Sequence, residues 1–402
     1  MTREKPARSV LLLAPHPFFA ERGTPIAVRD LARILTENGW EVTILTLGLG
    51  DDPRIDGVEI FRTPRIPFIK TIGIGLSFGK LVADVFLFFS LMRLLARRRF
   101  VVYHAVEESI FLAWVAARLF PAKLIYDMDS CLGDQIVEKF PRFARMRSFF
   151  RLAERFVMRR VDWILPVCPA LADIAAELAP DTPKTTLHDI PPLRRKFAPG
   201  EVVDLRDGLI EEMVLGLYVG NFEGYQGVDL LIGAMEALEA NCPLKIVLAG
   251  GGANTEQLRE RVENGLAKGR VLFPGPQPLD HLHDLLQQAD ILISPRSKGV
   301  NTPMKLYAYL EAAKPVLATN ILSHTQILNE ENAFLVDEDV ANLANGLRTL
   351  SHDQTLREKL GKAAGELSVS NFSRESLRDK IMGAYAEMTS KSNDSIVHER
   401  SL

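Results

Sequence analysis

Arg296, Lys298 and Lys305 fall within ten residues of one another, in the stretch ILISPRSKGVNTPMKLYAYLEAAKPVLAT at 291–319. Three cations around a glycine and an asparagine suit an anion with several oxygens, and phosphate is the natural one. The stretch reads as an apolar strand, Ile291 to Ser294, then a loop, then a helix beginning near Thr302 or Pro303, then a second apolar strand, Val316 to Ala318. A strand-loop-helix turn of this kind brings unpaired N–H groups and the positive end of a helix dipole to the carboxyl edge of a sheet. Asn301 and Thr302 are placed to cap that helix, with Pro303 and Met304 entering its first turn. Gly220, and Gly250 with Gly251, end two other apolar strands and permit close backbone approach to a ligand.

The first half offers polar groups at strand ends. His104 closes a strand in YHAVEES, and Asp127 and Asp129 close another in YDMDSC, where they can orient an acceptor hydroxyl. His16 follows Pro15 in the first strand-to-helix loop, and Gly23 and Thr24 let backbone approach a substrate further along it. Two nearby carboxylates without a third ligand do not make a metal site, so no metal is expected.

These groups need a scaffold of parallel strands. The 402 residues exceed one hydrophobic core and imply two domains. A hydrophobic fraction of 47%, a charged fraction of 25% and a net charge of -3 describe a soluble globular chain and argue against a general nucleic-acid binder. Cys131, Cys168 and Cys242 are widely spaced, which excludes a disulfide framework and fits a reducing compartment. MTREKPARS runs directly into the strand VLLLA without the form of a signal peptide, so a cytoplasmic protein is expected.

Strands at 10–14, 41–47, 58–61, 101–104, 124–126 and 163–166 alternate with helices, and a second such series starts at Met213, the pattern of doubly wound α/β domains. The expected layout is a first domain at 1–190, a Pro-rich basic linker at 191–205, a second domain at 206–372, a helix at 373–390 and a flexible polar tail at 391–402. Residues 80–99 form an apolar helix ending in three arginines, and 139–160 carry eight Lys or Arg against Glu154 alone. Both invite peripheral contact with an anionic membrane, here its inner face.

In order and spacing, GNFEGYQGVDLLIGAM at 220–235, VLAGGG at 247–252, VLFPGP at 271–276, ADILISPR at 289–296 and EAAKPVLATN at 311–320 resemble the second domain of family 4 glycosyltransferases. LLLAPHPFFAERGTPIAVRDLARILTENGWEVTIL at 11–45 is similar to that family's start. The resemblance implies the GT-B fold: two Rossmann-like domains facing a central cleft, with the C-terminal helix crossing back to the first. It also implies transfer of a sugar from a nucleotide diphosphate sugar to a glycan or lipid-linked acceptor, with retention, without metal or other cofactor, in polysaccharide biosynthesis. Donor contacts would fall to Gly220, Asn221, Gln226, Gly250, Gly251, Lys298, Asn301, Thr302, Pro303, Met304 and Glu311, acceptor contacts to Gly23, Thr24, His16, Asp127 and Asp129, and catalysis to His104, Arg296 and Lys305.

The chain departs from the family pattern where charge matters. Asn221 and Gln226 stand where the family commonly has Arg and Lys, and an ungapped count puts Val300 and Ala308 at its paired glutamates. Arg296, Lys298 and Lys305 are the expected replacement for the missing cations, and Glu311, one helical turn beyond Ala308, for a carboxylate. The same departures also fit a non-catalytic sugar-nucleotide-binding subunit or a GT-B sugar-nucleotide epimerase.

Overall fold

The computed structural model describes residues 8–19, 23–51, 53–66, 78–131, 133, 147–191 and 201–399. The chain divides into two compact units, Met1–His188 with Leu377–Leu402, and Asp189–Ser376. Most of the expected linker at 191–205, and residues 139–146 of the basic stretch, lie outside the described residues.

The first unit holds β1 (Ser9–Ala14), β2 (Glu41–Thr46), β3 (Val58–Arg62), β4 (Val102–Val106), β5 (Lys123–Met128) and β6 (Trp163–Pro166). They form one parallel sheet in the order β3-β2-β1-β4-β5-β6. β1 sits centrally, as its unbroken apolar run requires, with Ser9 level with Glu41 and Val10 level with Val102. Successive residues face opposite layers: Leu11 and Leu13 join one core, Val10, Leu12 and Ala14 the other. Helices α1 (Gly23–Glu37), α2 (Phe78–Leu95), α3 (Ser109–Leu119), α4 (Arg147–Met158) and α5 (Pro169–Leu178) supply the layers. α2 through α5 share the Leu11 side and α1 the other. α2 stops at Leu95, so Arg97, Arg98 and Arg99 lie beyond its end.

The second unit repeats the topology. β7 (Val214–Asn221), β8 (Leu244–Gly251), β9 (Val271–Leu272), β10 (Ile291–Ser294), β11 (Val316–Thr319) and β12 (Phe334–Val336) run parallel in the order β12-β11-β10-β7-β8-β9. α6 (Val228–Ala237), α7 (Thr255–Asn264), α8 (Leu282–Gln288), α9 (Lys305–Glu311), α10 (Leu322–Thr325), α11 (Val340–His352) and α12 (Gln354–Asn371) complete it. Numbered within its unit, each sheet reads 3-2-1-4-5-6, and each has its strand-order reversal beside the first strand, where open α/β sheets bind ligands.

Three details differ from the sequence reading. β7 and β8 run on through their glycines, and Gly220 pairs in register with Gly250 and Asn221 with Gly251. α9 starts at Lys305 with Met304 as its N-cap and no side-chain cap, so Asn301 and Thr302 do not cap it. The last helix, α13 (Arg374–Glu399), continues where a flexible tail is expected, because SKSNDSIVHE contains no Gly or Pro to stop it. Ile381, Ala384, Tyr385 and Met388 of α13 pack into the Val10 core of the first unit. Among the described residues no helix is long and apolar enough to cross a membrane.

Candidate active site

In the second unit the loops after β7 and β10 flank the strand-order reversal and are built against each other. Gly227 has φ +72°, and a Cβ there would stand 1.8 Å from the Pro295 carbonyl oxygen, so only glycine permits the approach. Ser297 N–H donates to the Tyr225 carbonyl at 2.9 Å, and the Arg296 guanidinium lies 5.3 Å from the Tyr225 ring centre. A Cβ on Gly250 would meet the Gly220 carbonyl oxygen at 1.8 Å, which keeps both strand ends bare.

Lys305 points its ammonium into this junction. Nζ donates to Gln226 Oε1 at 3.1 Å and sits 4.0 Å from the Tyr218 ring centre. A Cβ built on Gly220 would lie 3.4 Å from the same Nζ. Gln226, at the position where the resemblance implies a lysine, is thus the neutral acceptor of the Lys305 ammonium. Burial, with the Arg296 charge adding to it, depresses the Lys305 pKa to about 7. The residue as a whole is partly exposed, while its ammonium lies deep in the junction.

Arg296 braces its own loop as well as charging it: Nε donates to the Lys298 carbonyl at 2.6 Å and Nη1 to the Asn301 carbonyl at 3.1 Å. Lys298 is exposed, and its carbonyl rather than its ammonium takes part in that brace. Thr302 Oγ1 is buried without a hydrogen-bond partner, close in sequence to these groups. His324, absent from the sequence reading, ties the ends of β10 and β11 together. Its Nε2 meets Ser294 Oγ at 2.9 Å and its Nδ1 meets the Thr319 carbonyl at 2.8 Å. Burial, outweighing the Thr319 carbonyl, pushes its pKa down to about 4, so it acts as a neutral strut.

Two expectations are corrected. α9 has seven residues and begins at Lys305 rather than near Thr302 or Pro303. Glu311 sits at the opposite end of α9 from Lys305. It lines a cavity of about 480 Å³ with Ile190, Phe372 and Arg374, and is not brought to the cationic junction.

The first unit's reversal point has the opposite chemistry. Lys80 of α2 pairs with Glu108 Oε1 at 2.6 Å and donates to the Pro15 carbonyl. Burial works against its charge, but Glu108, Glu107 and Asp84 outweigh it and raise its pKa. Burial, then Glu108, lifts both Asp84 and Glu107 to about 7, and Glu107 holds a left-handed φ of 49° at the end of β4. His16 is driven to about 3 by burial and by Lys80, and neither ring nitrogen has a partner. Gly23 and Thr24 open α1. Asp129 follows β5 and is half-buried.

His104 is enclosed. Its Nδ1 meets Tyr385 Oη at 2.8 Å, its Nε2 meets Asp127 Oδ2 at 3.2 Å, and none of the side chain is exposed. With both nitrogens engaged and the ring enclosed, His104 is not presented to solvent at the strand end as expected, and Asp127 lies between it and the surface. Lys80, Asp84, Glu107 and Glu108 are missing from the sequence candidates. The available signals were a lysine and an aspartate four apart in an otherwise apolar helix, and paired glutamates at a strand end. Among the described residues no three His, Cys, Asp or Glu side chains converge to hold a metal ion.

Two family models match consecutive parts of the chain: "Glycosyl transferase 4-like domain" over 22–189 and "Glycosyl transferases group 1" over 207–367. The chain belongs to the GT-B glycosyltransferases of the family 4 type. The enzyme is 23% identical over 381 residues to the sulfoquinovosyl transferase SQD2 of Arabidopsis thaliana, covering 90% of this chain and 70% of that one. It is 25% identical over 301 residues to the 2-deoxystreptamine N-acetyl-D-glucosaminyltransferase of Streptomyces fradiae, covering 70% of each. Its fold resembles sucrose-phosphate synthase from Thermosynechococcus elongatus, with a TM-score of 0.78, 19% identity and 96% and 100% of the two chains covered. Anabaena HepE, solved with UDP, aligns with a TM-score of 0.72 at 13% identity over 94% and 100% of the two chains. At these identities the solved structures establish the fold alone.

Proposed function

We propose that this glycosyltransferase takes its sugar from a nucleotide diphosphate sugar and passes it, with retention and without a metal, to a hydroxyl of a glycan or lipid-linked acceptor. The observation that carries the reading is Lys305: a partly accessible lysine beside a bare strand end, its pKa depressed, with a neutral amide and a second cation as neighbours. Such a group lacks an anion, and a diphosphate supplies one. HepE, of the same fold, has been solved with UDP-glucose. In the reaction the bond from the anomeric carbon to the β-phosphate oxygen breaks, and the acceptor oxygen bonds that carbon on the same face. The acceptor proton leaves with the diphosphate. Arg296 and Lys305 stabilise the charge that grows on the departing diphosphate, which is the main electrostatic task of this chemistry.

The test is a panel of nucleotide diphosphates and nucleotide sugars read by thermal shift, followed by nucleotide release with the best donor in the presence of chelator. A ligand at 100 times its dissociation constant stabilises the fold by about 2.7 kcal/mol. Stabilisation by a nucleotide diphosphate and chelator-resistant release are expected. Stabilisation by none of the panel sinks the donor assignment, and release abolished by chelator sinks the metal-independent one.

A further inference from the structure

The Leu11 side of the first unit carries apolar surface that the fold leaves uncovered. On α4, Phe149 and Leu152 are each 62% exposed and Phe156 is 40% exposed, at spacings of three and four residues that put them on one face. α3 adds Val115 and Leu119, and α2 adds Leu81, Val85 and Phe89 at successive intervals of four. These helices adjoin one another. α2 packs on α3 and α3 on α4, and the Trp114 ring meets the Phe156 ring edge-on at 5.2 Å between centres.

The charge around this surface is one-sided. Arg147, Arg155, Arg159 and Arg160 are exposed on or just beyond α4, while its only acid, Glu154, is buried and turned inward to Tyr126 Oη and Cys131 Sγ, both at 3.3 Å. Arg118 lies 4.6 Å from the Trp114 ring centre and Arg160 lies 3.7 Å from that of Phe156, so the cations flank the aromatic groups. Arg93 continues the α2 stripe one turn beyond Phe89. The exposed acids Asp173 and Glu177 belong to α5, and bound the patch on that side. Two arginines of the triplet after α2 are engaged within the unit, Arg98 with Glu59 and Arg99 4.6 Å from the Phe120 ring centre, while Arg159 Nε donates to the Leu178 carbonyl and Arg160 Nη1 to the Phe156 carbonyl, both at 2.9 Å.

We infer that α2, α3 and α4 together form a docking face for an anionic lipid surface, with Phe149, Leu152 and Phe89 entering the headgroup region and the arginines contacting lipid phosphates. Apolar side chains ringed by arginines, with no outward acid on the leading helix, match an interface that is apolar below and anionic above. The inference stands apart from the donor reading, because it rests on no residue of the second unit.

The experiment is sedimentation of the full chain with vesicles of phosphatidylcholine, with and without phosphatidylglycerol. Binding to the anionic vesicles is expected, with release as the salt is raised from 0.1 M to 1 M and the screening length contracts from about 10 Å to about 3 Å. F149S/L152S changes only side chains that already face solvent, so its melting temperature should hold while vesicle binding is lost. R118A/R155A should lower partitioning on the order of thirtyfold, since each arginine near an anionic leaflet contributes about fivefold. Equal binding to both vesicle types, binding to neither, or full binding by F149S/L152S overturns the inference. So does a dimer of the wild-type chain in light scattering that F149S/L152S abolishes, since that assigns the face to a second copy.

Discussion

Lys80 and Lys305 occupy equivalent places, each beside the strand-order reversal of its own 3-2-1-4-5-6 sheet, yet their pKa values move in opposite directions. Lys80 is surrounded by Glu108, Glu107 and Asp84, which raise it. Lys305 has the Gln226 amide and the Tyr218 ring beside it and no carboxylate partner among the described residues, and burial, with Arg296 adding to it, pulls it down to about 7. One topology therefore supports two kinds of site. A lysine that has its carboxylates is neutralised by the fold, whereas the proposed role of Lys305 rests on its lacking one among the described residues. The sheet supplies the place, and the loop residues decide the chemistry.

Replacing each lysine by methionine gives the largest effects and the clearest separation. K305M keeps the apolar stem and removes a charge the fold does not neutralise. Melting temperature should hold or rise, while nucleotide release in transfer falls on the order of a hundredfold to a thousandfold. K80M leaves two glutamates and an aspartate around a hole where their counter-ion stood. Removing one member of a buried pair costs about 3–5 kcal/mol, so this variant should melt well below the parent. If K80M melted normally and K305M unfolded, the assignment of structural and functional lysine would be reversed.

The same contrast predicts a pH dependence for donor binding. In the folded chain Lys305 titrates near 7, below its ordinary 10.5. As pH falls from 10.5 to 7 the unfolded chain takes up a proton that the folded chain does not, so this group lowers stability across that window and has no further effect below it. A bound diphosphate favours the charged form, so binding above pH 7 draws in a proton. Affinity should weaken by up to about tenfold per pH unit above 7 and level off below. Calorimetry in two buffers of different ionisation enthalpy measures that proton directly, and K305M should lose it.

Much of this scaffold is legible in the sequence, for a local reason. A strand buried on both faces must be continuously apolar, and ILIS at 291–294 and WILP at 163–166 are read with the bounds the structure gives. The cations of the 291–319 stretch are legible too, because three basic residues in a Gly- and Asn-containing loop stand out locally. What sequence hides is which charges meet. Lys80 and Glu108 are 28 positions apart, and His104 and Tyr385 are 281 apart, so neither pairing leaves a local pattern. Lys298 and Lys305 look alike as letters, but one ends exposed and the other against Gln226. The helix after the loop was expected to start two or three residues too early, because Asn301 and Thr302 are good caps by type, yet the structure uses the Asn301 carbonyl to hold Arg296 instead.

The smallest predicted effect separates enclosed groups from reacting ones. Y385F removes the hydroxyl that engages His104 Nδ1 at 2.8 Å but keeps the ring packed edge-on against Trp40, at 4.8 Å between centres. The imidazole has no access to water, so one ring nitrogen is left unsatisfied at a cost of about 1–3 kcal/mol. The first unit should therefore melt a few degrees lower. Nucleotide affinity should not change, because the cations proposed to meet the diphosphate, Arg296 and Lys305, belong to the other unit. If Y385F instead abolished nucleotide binding while the melting temperature held, His104 would belong to the donor site, and the division between a structural and a ligand-awaiting reversal point would fail.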